Sequence, residues 1–202
     1  MLEVFSKHYI RDGRVDAEEA LSIASNVQDL IQNLGGASYS NGLYRVIRSN
    51  EKTEWDLIVA QAFPVFGNRL SCFAYDWLGR IFSLDPEREI DGLPGVIMLE
   101  PGTGQTLEIP SHLASFHDEE LIEFSDAALA AGFHRNWLSH GGAIPTYEQC
   151  IGYVKPLFLG GKDDIGNLAP SDIKVYWGIA SQLITKVRSL PTGTKISTIT
   201  IS

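Results

Sequence analysis

Residues 73–85 read FAYDWLGRIFSLD and place two aromatic-rich segments on either side of a short turn. Short β-forming segments joined by a glycine-containing turn predict a β-hairpin. The same sequence pattern extends over residues 70–109, where glycines and prolines separate further apolar segments. Such a pattern is typical of an antiparallel meander. The predicted strands are residues 70–75, 80–84, 95–99 and 106–109. We therefore expect the chain to fold around an antiparallel sheet.

Apolar side chains repeat at helical spacing on both sides of this meander. The predicted helices are residues 15–34, a helix that follows residues 51–53 and ends near Phe63, residues 118–131, a short turn at 135–138, and a last helix that starts at Pro170-Ser171 and ends before Pro191. A strand is predicted at 43–47, residues 151–159 form an edge strand or an extended segment, and the tail at 195–202 is a strand or disordered. The predicted fold class is α+β, with an antiparallel meander sheet packed against several helices.

The composition is globular, with an acidic bias. The chain has 202 residues, is 44% apolar, carries a net charge of −9 and has two cysteines. This charge disfavours nucleic acid, whose phosphates attract lysine and arginine, and suits a basic partner, although acidity also serves solubility alone. The cysteines are too few for a disulfide framework, and the sequence shows no signal peptide and no apolar run of membrane length. We therefore predict one cytoplasmic domain.

The usual signatures of catalysis and metal binding are incomplete in this sequence. Residues 160–163 place Asp163 where a phosphate loop needs a hydroxyl group, and residues 100–104 are not followed by a helix. Residues 36–40 lack the last glycine of a nucleophile elbow. The histidines do not have the spacing of zinc ligands, and Cys150 has no local partner that would lower its pKa. We therefore predict no enzyme activity, no catalytic residue, no cofactor and no metal.

Acidic residues cluster in two places outside the meander. Asp118, Glu119 and Glu123 lie near the start of a predicted helix, and Asp163 and Asp164 lie in a predicted loop. The simplest interpretation of each cluster is a solvated face. The functional interpretation is a negative surface that steers a basic protein partner, because complementary charge chiefly raises the rate of association.

Several short motifs occur in a fixed order along most of the chain. They are residues 42–45 (GLYR), 73–80 (FAYDWLGR), 100–104 (EPGTG), 156–161 (PLFLGG), 175–177 (VYW) and 190–194 (LPTGT). With this ordered set the chain resembles the SUKH-like domain that forms the C-terminal part of type VI secretion DNase-immunity proteins, next to a GAD-like domain in some members. The resemblance assigns residues 35–196 to the SUKH-like domain, 1–34 to an N-terminal helical segment and 197–202 to a tail.

The resemblance implies a non-enzymatic antitoxin. Such a protein binds a cognate secreted toxin, here a basic nuclease, and neutralises it by covering its active or DNA-binding surface. Immunity surfaces vary with their toxin, so we expect the contacts on exposed loops and helix starts rather than in the motifs. The expected partner-binding residues are Asp118, Glu119, Glu123, Asp163 and Asp164, and the default oligomeric state is a monomer.

The competing prediction is a general module that binds a protein or a small ligand. In that case Asp76, Trp77 and Arg80 line a groove. Trp77, Tyr176 and Trp177 are also typical of core anchors, since large aromatic side chains dominate protein interiors.

Overall fold

The computed structural model describes residues 2–13 and 26–191. Its central element is an antiparallel sheet of six strands that lie side by side in chain order. The strands are β1 (Ser38–Tyr39), β2 (Tyr44–Val46), β3 (Ser71–Asp76), β4 (Ile81–Ile90), β5 (Leu93–Glu100) and β6 (Gln105–His112). This order confirms the predicted meander, and the helices packed around it confirm the α+β class.

Helices lie before, between and after these strands. They are α1 (Glu3–His8), α2 (Val27–Leu34), α3 (Lys52–Ala62), α4 (Leu113–Ser115), α5 (Leu121–Glu123), α6 (Ser125–Leu129), α7 (Ala131–Ser139) and α8 (Ile173–Arg188). Helix α3 confirms the predicted second helix, and α7 extends the predicted turn at 135–138. Within the described ranges, no helix is both long and apolar enough to cross a bilayer.

Strand β4 is longer than the sequence predicted, because a β-bulge carries it past a proline. The predicted strand ended before Asp85 and Pro86. The pairing of β4 with β5 shifts register between Asp85 and Glu89, which accommodates Pro86 outside the regular ladder. Asp91 and Gly92, both at positive φ, then form the turn that leads into β5.

The helix predicted over residues 15–34 begins at Val27 in the described part of the chain. Asn26 has an extended backbone, and its side chain accepts a hydrogen bond from the Asp29 N–H at 3.0 Å, which caps α2. The helix ends at Gly35, as predicted. Residues 14–25, which include the predicted helix start, lie outside the described residues.

The helix predicted over residues 118–131 is broken and starts earlier. It begins after His112, which forms a capping box with Ser115. Residues Phe116–Glu120 form a π-helical turn, and the backbone leaves helical geometry at Phe124 and again at Ala130, where φ is +50°. The segment from 113 to 129 is called the broken helix below.

A second, two-stranded antiparallel sheet precedes the last helix and consists of β7 (Gln149–Tyr153) and β8 (Leu168–Asp172). The predicted extended segment at 151–159 therefore ends its strand at Tyr153, before Pro156. The predicted helix start at Pro170-Ser171 belongs to β8 instead. Asp172 caps α8, because its carboxylate accepts the N–H groups of the two residues that follow Ile173. The predicted tail at 195–202 lies outside the described residues.

The central strands of the six-stranded sheet are buried on both faces. Side chains alternate between faces along a strand, and in β5 Val96 and Met98 join one hydrophobic cluster while Ile97 and Leu99 join the other. Helices α1 and α2 and the broken helix complete the first cluster. Helices α3 and α8 complete the second. The sheet is therefore the middle layer of three.

The turn between β3 and β4 encloses a fully buried carboxylate. Asp76 Oδ1 accepts the N–H groups of Leu78 at 3.0 Å and Arg80 at 2.9 Å, and Oδ2 accepts Nε of Arg80 at 2.6 Å. Gly79 has a φ of +77°, which a residue with a Cβ adopts only with strain. Burial raises the pKa of the Asp76 carboxyl, and the Arg80 guanidinium opposes that rise.

A second buried cation connects this turn to more distant parts of the chain. Arg45 on β2 is fully buried and donates hydrogen bonds to the carbonyl oxygens of Thr146, Gln149 and Asp76. Its guanidinium also lies over the Tyr75 ring, 4.9 Å from the centroid. The segment before β7 is therefore held against the sheet by a charged group in the core.

Two tryptophans connect the β3–β4 turn to the helical layers through hydrogen bonds. Trp77 Nε1 donates to the Leu129 carbonyl at 3.0 Å, which attaches the broken helix. Trp177 Nε1 donates to the Gly79 carbonyl at 2.7 Å, which attaches α8. Because each indole N–H has a partner, both rings are buried without leaving a polar group unsatisfied.

The first cluster also contains a buried histidine. His117 Nδ1 lies 2.8 Å from the Leu113 carbonyl oxygen, so it is the donor, and Nε2 then accepts from the Tyr44 hydroxyl at 2.8 Å. The neutral tautomer with its proton on Nδ1 satisfies both contacts. Burial lowers the pKa of His117 to about 4, and burial also lowers the pKa of His134 to about 4.

We predict that Asp76→Asn lowers the free energy of unfolding by about 3 kcal/mol, because it leaves the buried Arg80 guanidinium without a counter-charge. Urea unfolding followed by tryptophan fluorescence measures this loss. The control is Glu108→Gln, which removes one negative charge from an exposed position on β6 and should cost less than about 0.5 kcal/mol. Equal stabilities of the two variants would contradict the role assigned to Asp76.

We also predict that the protein loses stability as the pH falls from 6.5 to about 4. In this range the unfolded state binds a proton at His117 and the folded state does not, so each such histidine lowers the unfolding free energy by about 1.4 kcal/mol per pH unit. The measurement is urea unfolding at several pH values.

The matched pair for the pH experiment is His117→Gln and His140→Gln. The first removes the buried ring. It should reduce the slope of the unfolding free energy against pH by the contribution of about one proton, whatever its effect on stability at neutral pH. The second replaces an exposed histidine at the end of α7 and should leave the slope unchanged. A slope that is the same in His117→Gln as in the native chain would show that His117 is already protonated in the folded state.

Candidate functional site

The three residues predicted to line a groove lie together inside the molecule. Asp76 and Trp77 are 0% exposed and Arg80 is 6% exposed. Their polar groups bond to one another and to main-chain atoms of the same chain, as described above. They therefore form the interior of a turn and do not line an open groove.

The motifs at 100–104 and 156–161 contact each other. The turn at residues 100–104 accepts two hydrogen bonds, from the Leu157 N–H to the Gly102 carbonyl at 2.8 Å and from Arg188 to the Gly104 carbonyl at 2.9 Å. A Cβ on Gly102 would lie 2.6 Å from the Tyr153 ring. The motifs at 100–104 and 156–161 are thus joined by close packing, and a binding surface has to be sought elsewhere.

Asp118, in the first acidic cluster, forms hydrogen bonds within the chain. Its carboxylate accepts the N–H groups of Leu2 at 2.9 Å and of Val4 and Phe5 at 3.2 Å. It therefore caps the start of α1 from another part of the chain. Asp118 is half-buried, and only part of its carboxylate surface is open to a partner.

The other predicted acids of this cluster, Glu119 and Glu123, are exposed. Glu120 of the same cluster is half-buried, and Asp126 further along the broken helix is exposed. Burial raises the pKa of Glu120, and the neighbouring Glu123 charge adds to the rise while a hydrogen bond with Ser111 opposes it. Carboxylates are thus crowded on this part of the broken helix.

Phe124 stands at the break between α5 and α6, among these acids. Its side chain is 54% exposed, whereas Leu121 and Leu129 on either side of it in sequence are buried. Sequence reasoning did not select Phe124. The available signal was its position, because it falls outside the apolar helical repeat formed by residues 121, 122, 125, 128 and 129.

The second acidic cluster lies in the loop between β7 and β8. Asp163 and Asp164 are both exposed, and Asp163 Oδ1 accepts a hydrogen bond from the Tyr153 hydroxyl at 2.6 Å. Asn167 fixes the loop by donating to the carbonyl oxygens of Lys155 and Lys162, both at 2.8 Å. No hydrogen bond or ion pair within residues 2–13 and 26–191 joins this loop to the acids of the broken helix.

The two cysteines and two of the five histidines, His117 and His134, are buried. Both cysteines are inaccessible, and burial raises the pKa of Cys150 to about 12 and that of Cys72 further. His117 and His134 are neutral core residues. In the part of the chain that the structure describes, histidine, cysteine and carboxylate groups do not gather in threes as a metal site requires.

Comparisons with known proteins point to one class. Residues 111–184 match the family model described as T6SS immunity protein Tdi1, C-terminal, where T6SS denotes the type VI secretion system. The crystal structure of Atu4351 from Agrobacterium tumefaciens is similar over 90% of this chain and 89% of that chain, with a TM-score of 0.60 and 17% identity. Curated proteins give no match. At this identity the likeness to Atu4351 shows a shared fold alone.

The family match covers the broken helix, the loop at 154–167 and most of α8. It therefore includes both acidic clusters and Phe124, as well as the motifs at 156–161 and 175–177. This result confirms the resemblance that the motifs indicated. Over residues 111–184, the chain is similar to the C-terminal domain of a type VI secretion immunity protein.

Proposed function

We propose that this protein is a non-enzymatic immunity protein that binds a cognate secreted toxin, in particular a type VI secretion DNase, and occludes its active or DNA-binding surface. The observation that carries the proposal is the family match over residues 111–184, a range that includes the exposed Glu119, Glu123, Asp163 and Asp164. The SUKH-like assignment and the DNase class rest on the motif resemblance. The place of action is the cytoplasm, where a DNase toxin meets its substrate.

Electrostatics supports a basic partner. A nuclease binds DNA through lysine and arginine side chains, and a protein of net charge −9 is attracted to the same surface. Such attraction raises the association rate and fixes the orientation of the partner, while a few anchors supply most of the binding energy. Inhibition of the toxin by covering its DNA-binding surface requires no chemical step.

The proposed contact residues are those of the two acidic clusters. Glu119, Glu123, Asp163 and Asp164 are exposed and available to a partner. Asp118 contributes at the edge, because its capping of α1 uses much of its hydrogen-bonding capacity. We propose one domain for residues 1–202, since α1 and α2 share their hydrophobic cluster with the sheet.

The proposal predicts that the full chain protects cells from the toxin encoded beside its gene. Co-expression of the chain with that toxin should restore growth and prevent chromosome degradation, and a nuclease-inactive toxin should co-purify with the chain. The control is Asp76→Asn, which is expected to weaken protection because it destabilises the folded protein. Continued cell death beside an abundant and folded native chain would contradict the proposal.

We further predict that Glu119→Gln/Glu123→Gln slows association with the inactive toxin about threefold or more at low ionic strength, because two steering charges are lost. Surface plasmon resonance at several salt concentrations measures this rate. Glu89→Gln/Glu108→Gln removes the same charge from exposed positions on β4 and β6 and should have a smaller effect. Equal slowing by the two pairs would show that net charge matters and that the broken helix is not the contact surface.

A further inference from the structure

We propose that Phe124 is the aromatic anchor of the toxin-binding surface and inserts into an apolar pocket that is bordered by lysine or arginine on the toxin. This inference rests on the proposed function. It assigns to one side chain the binding energy that the surrounding carboxylates do not supply.

Phe124 differs from the other aromatic residues of this chain. The nine phenylalanines, seven tyrosines and four tryptophans all lie within the described residues, and Phe124 is the one whose side chain is exposed. The rest are buried or half-buried, as expected for groups that gain most from leaving water. The packing of the chain therefore leaves the ring at position 124 accessible to a partner surface.

The backbone at Phe124 is fixed although its ring is exposed. The Phe124 N–H donates to the Glu120 carbonyl and the Phe124 carbonyl accepts from the Ala128 N–H, both at 2.9 Å. The helix is broken at this residue, with φ −120° and ψ 35°, and the neighbouring Leu121 and Leu129 are buried in the core. A ring held on a rigid support loses little freedom on binding, which favours affinity.

The charges around the ring identify the kind of partner. Glu119, Glu123 and Asp126 are exposed near Phe124 in the chain, and Glu120 is partly exposed. Arg135 Nη2 lies 3.6 Å from Asp126 Oδ1, and because both side chains are about 70% exposed this ion pair is weak. An acidic border repels nucleic acid and anionic lipid and attracts a basic protein surface.

An aromatic residue within a ring of polar groups is the usual arrangement of an interface hot spot. Trp, Tyr and other large side chains at such centres carry most of the binding energy, and the polar border excludes water from them. Here the acidic border also selects the partner, because a pocket without basic neighbours leaves the carboxylates desolvated and unpaired. The same segment therefore provides both affinity and specificity.

The test is the affinity of the full chain for the nuclease-inactive form of the toxin encoded beside its gene. We expect Phe124→Ala to weaken binding at least about tenfold, mainly through faster dissociation, and to leave the unfolding midpoint unchanged because the ring is exposed. The matched control is Leu107→Ala, which truncates a side chain that is 52% exposed on β6, outside residues 111–184. Its affinity should equal that of the native chain.

Hydrogen exchange of the native complex is the second measurement and needs no variant. Amides of residues 116–129 should gain protection when the toxin binds, while those of β6 should not. A native affinity in Phe124→Ala, or no added protection in 116–129, overturns the anchor and leaves the immunity function standing. Failure of the native chain to bind the toxin at all overturns both proposals.

Discussion

The whole structure depends on one buried carboxylate and the turn that it closes. Asp76 holds the β3–β4 turn through two main-chain N–H groups and the Arg80 guanidinium. Neighbouring residues of the same turn bond to the broken helix and to α8 through two indole N–H groups. A buried charge is stable only when its partners are complete, so each of these layers is fixed in position relative to the sheet.

This arrangement places much of the motif set in the interior. The motifs contain the buried turn, the two tryptophans and the glycines that allow close packing between the 100–104 turn and its neighbours. Residues that are fixed by such contacts cannot vary with a partner without loss of stability. The proposed toxin contact needs a surface that is free to change, and the exposed side of the broken helix meets this condition.

The chain thus combines a rigid interior with an irregular exterior. The π-helical turn at Phe116–Glu120 and the breaks at Phe124 and Ala130 lie on a segment whose inner side is attached to the core by His117 and Trp77. Irregular helical turns of this kind are frequent at functional sites. The interior keeps the segment in place, and its outer side carries the carboxylates and the exposed ring.

Sequence alone determined the meander, its turns, α3, α8 and the acidic clusters, because local periodicity, glycine, proline and charge act over a few residues. It could not give the β4 bulge, the start of the broken helix at Leu113 or the capping of α1 by Asp118, since these depend on contacts between distant residues. Only the tertiary structure decided which side chains are exposed. Asp76, Trp77 and Arg80 are buried because three layers meet there, and Phe124 is exposed because the helix breaks at that residue.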